Sequence, residues 1–280
     1  MTTHLVQFST GAGSAEVAWR VVEKHGANNV VLLTANTLAE DDDNWRFGAE
    51  VAARLGCDWV CLADGRTPMQ VGRDLSVVPN NRMAVCSRVL KRELLRAYLD
   101  EHHDPAEAIV YLGFDWTEEH RLAAAKPHWA PWRIAAPLTE PPYLDKAAVL
   151  DLFRERGIEP PRLYAQGFTH ANCGGACVRG GQAQWELLLR VNPGRYADWE
   201  AEEETTRAAL GKDVSILRDR TRGTLRPLTL RRFREGLERQ PSLFDEGDWG
   251  ACGCFMPADS PPPEDGSYVR VPAPEWAGVA

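Results

Sequence analysis

No apolar run in this 280-residue chain approaches the roughly 18 to 20 residues that cross a bilayer, so no membrane contact is expected. The opening MTTHLVQFSTGAGS lacks the basic region, long apolar stretch and cleavage site of a secretory signal, and the expected location is the cytoplasm. Net positive charge is missing as well. A formal charge of −8 gives no overall attraction to nucleic acid or anionic lipid, which leaves any such binding to a local patch. Neither G-x-G-x-x-G nor Gly-Lys-Ser/Thr occurs, which excludes the dinucleotide fingerprint and the Walker loop. There is no internal repeat, and none of the seven histidines stands in metal-ligand or triad spacing. His170 alone is worth following, because it lies just before a cysteine turn; an exposed loop histidine is its plainer reading.

What is present is enough apolar residue, 44%, to bury a full core. The first 115 residues alternate strand-like and helical runs. HLVQF (4–8), NVVLLT (29–34), CDWVCLA (57–63) and AIVYLGF (108–114) read as strands. Helices are expected at Ser14 to Lys24, Asp42 to Leu55 and about Ser87 to Leu99. This alternation predicts an α/β fold, a parallel twisted sheet with helices on both faces and ligands at the carboxyl ends of its strands. Pro127, Pro131, Pro137, Pro141 and Pro142 predict a connection, followed by a helix over about Leu144 to Arg156. We therefore expect a nucleotide-binding α/β domain over 1–143 and a mostly helical, cysteine-bearing region over 144–280 packed on it. The latter holds a turn over Cys173 to Gly181, helices at about Gln182 to Arg190 and Tyr196 to Leu210, and a loose tail with SPPPEDGS (260–267).

Two places carry chemistry. Ser9, Thr10, Gly11, Ala12, Gly13 and Ser14 connect the first strand to its helix, and small residues there let successive N–H groups turn toward one anion at a helix N-terminus. The same segment also suits an ordinary tight turn with Ser14 as N-cap. The second place is cysteine. Cys173 and Cys177 flank two glycines in NCGGACVRGGQ, and Cys252 and Cys254 sit together in WGACGCF, so two close pairs lie on turns that let thiolates converge. Seven cysteines in a cytosolic chain point to metal or redox chemistry before disulfides. Tetrahedral zinc, a redox pair and plain buried thiols remain alternatives, and for Cys57 and Cys61 burial is the better reading.

In order along the chain, these features resemble the PP-loop superfamily of adenine nucleotide alpha hydrolases, and within it the phosphoadenosine phosphosulfate reductase branch. Ser9, Gly11 and Ser14 match the family loop S-G-G-x-D-S. Asn36 and Thr37 echo its Asp-Thr-like strand end. Cys86, Leu90 and Lys91 in VCSRVLKRELL match its cysteine followed by a Leu-Lys pair, and Gly113 with Arg121 in YLGFDWTEEHR matches its glycine-containing strand end leading to an arginine. The resemblance implies binding of an adenine nucleotide, ATP or adenylyl sulfate, by Ser9, Thr10, Gly11, Gly13, Ser14, Asn36 and Thr37. It implies charge neutralisation by Lys91 and Arg121, with Mg²⁺ a further candidate. A [4Fe–4S] cluster, or zinc in its place, would be held by Cys86, Cys173 and Cys177 with Cys252 or Cys254, and Cys254 doubles as a reactive thiol. The departures are specific: Thr10 replaces a glycine, and Gly13 replaces the acid that serves magnesium pyrophosphate in ATP-pyrophosphatase members, as it does in reductases, which release no pyrophosphate. Asp115 stands where a substrate arginine is expected, Ser87 where a second cysteine is, and the later pair is C-x-x-x-C, not C-x-x-C.

The function these residues lead one to expect is sulfur chemistry on an adenine nucleotide: reduction of an adenylyl sulfate, with a thiol reductant protein as partner, or sulfur transfer to a nucleotide, a tRNA or a DNA base. The competing expectation is a catalytically degenerate module that binds nucleic acid or protein and carries structural zinc. Arginines crowd 216–237, but pairing with the acidic run Glu200 to Glu204 is favoured there over phosphate binding. Trp116, Trp129 and Trp132 are candidates for base stacking, with packing over a core edge the plainer role.

Overall fold

The computed structural model describes residues 2–219, 225–239 and, for the backbone, 269–271. Five strands, β1 (Thr3–Gln7), β2 (Val30–Asn36), β3 (Asp58–Ala63), β4 (Ala108–Tyr111) and β5 (Arg133–Ala135), form a parallel sheet in the order β5-β4-β1-β2-β3. A short β8 (Val269–Val271) adds antiparallel to β3. Consecutive strands progress from β1 to β3 in one direction, and β4 and β5 lie on the other side of β1. The strand order therefore reverses between β1 and β4, and that is where an open α/β sheet leaves a crevice beyond its carboxyl ends.

Side chains alternate along β1 and divide the core. Val6 and Phe8 pack with α1 (Ala12–His25), α2 (Asp42–Leu55) and α7 (Lys146–Glu155). Leu5 packs on the other face with Leu94, Leu95 and Leu99 of α5 (Leu94–His102) and with α6 (Glu119–Trp129). Helices on both faces and a helical later region agree with the sequence expectation, and α2 runs over the expected residues. The proline-rich stretch departs from it. It holds α6, with Pro127 inside, and the edge strand β5, so the expected connection is in fact a helix and a strand.

A third core joins the two halves of the chain. Short helices α3 (Pro68–Asp74) and α4 (Val85–Ser87) contribute Met69, Val71 and Cys86. Against them pack α8 (Arg162–Ala165), α9 (Gln182–Val191), α10 (Pro193–Leu210), the hairpin β6 (Leu217–Asp219) with β7 (Arg226–Leu228), and α11 (Leu230–Arg239). Between α4 and α5 the helix widens into a π segment, Arg88–Glu93. Such wide turns occur often at functional sites, and this one carries Lys91.

Candidate functional site

The crevice at the β1/β4 switch is a cleft of about 610 Å³. Ser9, Gly11, Gly13 and Ser14 border it from the β1 side, Gly113 and Arg121 from the β4 side, and Lys91 from the π segment. Seven residues singled out along 113 positions of sequence thus face one space. Lys146, Tyr164, His170 and Arg179 wall it from the second half of the chain.

The loop is shaped by its own hydrogen bonds. Ser14 Oγ accepts from the Ser9 N–H at 3.1 Å and donates to the Gly11 carbonyl at 2.9 Å, which draws the turn closed. Helix α1 begins at Ala12 with Gly11 as N-cap, so Ser14 sits inside the first turn and not at the cap. The Ala12 N–H is directed to Tyr164 Oη at 3.3 Å, and the next two, of Gly13 and Ser14, have no acceptor within the helix. With the helix dipole behind them they give this end of the cleft the N–H donors and partial positive charge that suit an anion. Thr10 has a φ of +57°, the left-handed region costly for a β-branched residue. It is held there by Oγ1 donating to the Ser9 carbonyl at 2.7 Å and by its methyl packed on Gly48, where any Cβ would lie 2.7 Å away. Thr10 is buried beneath the loop and does not border the cleft.

Both cations have carboxylate partners. Lys91 Nζ lies 3.4 Å from Glu40 Oε1, with both side chains buried. Arg121 contacts Glu118 and stacks 4.8 Å from the Phe114 ring centroid. Glu40, to which the sequence analysis gave no role, is a hub: it also accepts from Thr37 Oγ1 at 3.2 Å and from the Cys173 N–H at 2.7 Å. Asn36 lies apart from the cleft, its Oδ1 accepting from the Leu38 N–H in a turn.

Thr37 instead borders a second, small recess with Cys86, Cys173, Cys177, Ser87 and Lys91. Arg195 fastens this turn, donating to the carbonyls of Cys173 and Ala39, and Cys173 and Gly174 adopt left-handed φ of 51° and 58°. Three of the proposed sulfur ligands therefore meet at one place. Cys252 and Cys254 lie outside the described residues, as does the tail 260–267. The donor chemistry suits zinc or iron, but the recess offers only about 10 Å³, at the lower limit for one water, and among the described residues no group of three or more His, Cys, Asp or Glu is set to hold a metal ion. Cys86, Cys173 and Cys177 supply three thiol donors of the kind zinc or an iron–sulfur cluster takes, and no chemical step is derived through such a group. Cys57 and Cys61 are elsewhere, Cys61 buried as expected and Cys57 only half-buried; desolvation pushes both thiols up to about 11, which keeps them protonated. Arg231 and Arg234 pair with Glu200, Trp129 and Trp132 are buried, and Trp116 is exposed; Arg220 and Arg222 lie outside the described residues.

His170 borders the cleft with its Nδ1 enclosed and unpartnered. Burial, reinforced by Lys146 and Lys91, pushes it down from 6.5 to about 4. A neutral native histidine against an unfolded one that protonates near 6.5 means the unfolded chain binds more protons in between. His170 thus stabilises fully above pH 6.5, and about 3 kcal/mol is lost as pH falls from there to 4. Urea unfolding of wild type and His170→Gln at pH 7 and pH 4.5 is expected to show a difference that shrinks toward acid; a constant difference contradicts the assignment.

No family model matches the chain, and neither does any curated protein. Solved structures do. A phosphoadenylyl-sulfate reductase is among them. That enzyme, from Candida auris and in a phosphate complex, is 15% identical, with 59% of this chain and 78% of that one covered and a TM-score of 0.42. The U34-tRNA thiolase NcsA from Methanococcus maripaludis, with its [4Fe–4S] cluster, is 14% identical over 74% of this chain and 73% of that one, TM-score 0.45. An NH3-dependent NAD synthetase from Campylobacter jejuni subsp. jejuni NCTC 11168, in complex with nitrate, is 15% identical over 75% and 86%, TM-score 0.38. The functional reading rests on the cleft itself.

Proposed function

We propose that the chain is an enzyme that binds an adenine nucleotide in the switch-point cleft and acts on a sulfur-bearing group attached to it or delivered to it. The supporting observation is the meeting of Ser9, Gly11, Gly13, Ser14, Lys91, Gly113 and Arg121 around one cavity. In this reading the first-turn N–H groups of α1 hold a phosphate, and Arg121 and Lys91 counter the charge on the phosphate or sulfate. Adenylyl sulfate, its 3′-phosphorylated form and ATP are the substrate candidates. The cysteine recess adjoins the cleft, because Lys91 borders both. This favours sulfur chemistry, either reduction with electrons from a thiol protein or sulfur transfer to a nucleotide or tRNA base, with Cys254 the candidate reactive thiol. Cys86, Cys173 and Cys177 with Cys252 or Cys254 are the candidate cluster or zinc donors. Iron, sulfide and zinc analysis of anaerobically purified protein tests that set: a colourless, metal-free protein removes it.

Titration with adenylyl sulfate, its 3′-phosphorylated form and ATP tests the site. At least one is expected to bind, and Arg121→Ala is expected to weaken that binding about tenfold, the worth of one charge-assisted phosphate contact. Binding of none removes the reading. One observation favours a second reading, a module without turnover: Glu40 and Glu118 already partner Lys91 and Arg121. Steeply salt-dependent RNA or DNA binding without nucleotide turnover is its signature.

A further inference from the structure

The last residue of β1 is out of keeping with its surroundings. Leu5 and residue 7 lie on the same face of the strand, and Leu5 is buried in the core beneath α5. At the next position on that face stands Gln7, 2% exposed, with no hydrogen-bond partner on either Oε1 or Nε2. Native interiors rarely leave both ends of an amide unsatisfied, because each forfeits its bonds to water. The fold offers no reason for it: the ladder of β1 is made by backbone, and no cap or turn uses this side chain.

Position supplies the reason. Gln7 borders the cleft together with Ser9 and Lys91. It also borders a recess of about 20 Å³ whose walls include Phe8, Leu33 and Leu95. The charged pair bordering that recess, Lys91 and Glu40, is matched within itself. A phosphate would serve Gln7 poorly, since it offers acceptors only and leaves Oε1 unsatisfied beside a carboxylate. A neutral group with an acceptor and a donor side by side satisfies both ends, which is how glutamine engages the N7 and N6 edge of adenine.

We infer that Gln7 is the specificity-determining residue of the cleft, reading the donor–acceptor edge of the purine base while the loop after β1 holds the phosphate. The inference rests on the adenine-nucleotide reading of the cleft. Its test uses AMP, purine riboside 5′-monophosphate, which lacks the exocyclic amine, and pyrophosphate, each titrated against wild type and the nearly isosteric Gln7→Met. Wild type is expected to bind AMP at least tenfold more tightly than the deaminated analogue. Gln7→Met is expected to lose at least that tenfold on AMP and less on the analogue, which keeps N7 but not the amine, to bind pyrophosphate as wild type does, and to melt no lower than wild type without ligand, since it removes an orphaned amide. Equal affinity of wild type for AMP and the analogue overturns the inference without any variant. So does an AMP affinity untouched by Gln7→Met, the result a resident water would give. Wild type binding neither nucleotide is the distinct outcome that defeats the nucleotide reading.

Discussion

Lys91→Met is expected to cost about 3 to 5 kcal/mol of stability and at least tenfold in affinity for adenylyl sulfate, and adding Glu40→Gln is expected to restore the first loss but not the second. Lys91 and Glu40 are both buried and 3.4 Å apart. Removing the ammonium alone strands a carboxylate in a low-dielectric interior, which is far more costly than removing the pair together. Glutamine at position 40 keeps one carbonyl oxygen for the Cys173 N–H, the shorter of the two neutral contacts at 2.7 Å, and gives up the charge. Affinity responds differently, because the cation that faces the ligand is absent in both variants, and one charge-assisted bond to phosphate is worth about 1.5 to 3 kcal/mol. Urea unfolding and calorimetric titration of the two variants separate these effects. If the double variant regains affinity along with stability, Lys91 has no part in binding and acts only as the partner of Glu40.

This residue is also where the three spaces of the site converge: it borders the cleft, the cysteine recess and the recess beneath the loop. Lys91 lies in the π segment that follows Cys86, so the local widening of the helix places a thiol and an ammonium around one hub. Glu40 then ties Lys91 to the Cys173 backbone, and Arg195 ties Cys173 to the chain at Ala39. Two contacts, Lys91 to Glu40 and Glu40 to the Cys173 N–H, thereby link the cleft to the cysteine turn.

Much of this was legible in local chemistry and the rest was not, for identifiable reasons. The loop after β1 stands out because small and hydroxyl residues between an apolar strand and a helical run mark a turn at a helix N-terminus, whether or not it holds an anion. The cysteine turn is legible for a similar reason: glycines beside thiols relieve crowding, and the left-handed Cys173 and Gly174 are the result. Glu40 was hidden because an acid next to Asp41, Asp42 and Asp43 reads as part of a helix N-terminus, whereas its side chain turns inward to three long-range or loop partners. Gln7 was hidden in a strand whose apolar neighbours dominate the pattern. Helix α6 and strand β5 were masked by prolines, since Pro127 enters only near the end of a helix already formed and β5 is three residues of edge strand. The hairpin of β6 and β7 lies within an arginine-rich stretch in which charge overshadows the short alternation.

Glu203→Ala is expected to remove about 4 kcal/mol of stability. Glu203 on α10 is fully buried and accepts the Ile216 N–H at 2.7 Å with one oxygen and the Leu230 N–H at 2.6 Å with the other. It thus fastens the approach to β6 and the first residue of α11 to one helix. Alanine orphans two buried donors at about 1 to 3 kcal/mol each and leaves a void besides. The same residue sets a pH slope of opposite sign to that of His170. Burial raises its carboxyl from 4.5 to about 7, so the native state binds more protons than the unfolded one in that window. Stability from this group is then full below pH 4.5 and falls by about 3 kcal/mol as pH rises to 7. His170 acts the other way between 4 and 6.5, so the two contributions oppose each other there, and Glu203→Gln should gain stability, relative to wild type, as pH rises. The core that α10 joins through Tyr196 and Trp199 also includes Cys86, Ala176 and Val178, so loosening α10 is expected to loosen the cysteine recess. Alkylation of Cys177, buried in the native state, should accelerate in Glu203→Ala at a urea concentration too low to unfold the variant globally. An unchanged alkylation rate, with stability lost as expected, would show that the hairpin and α11 leave the recess independently of α10.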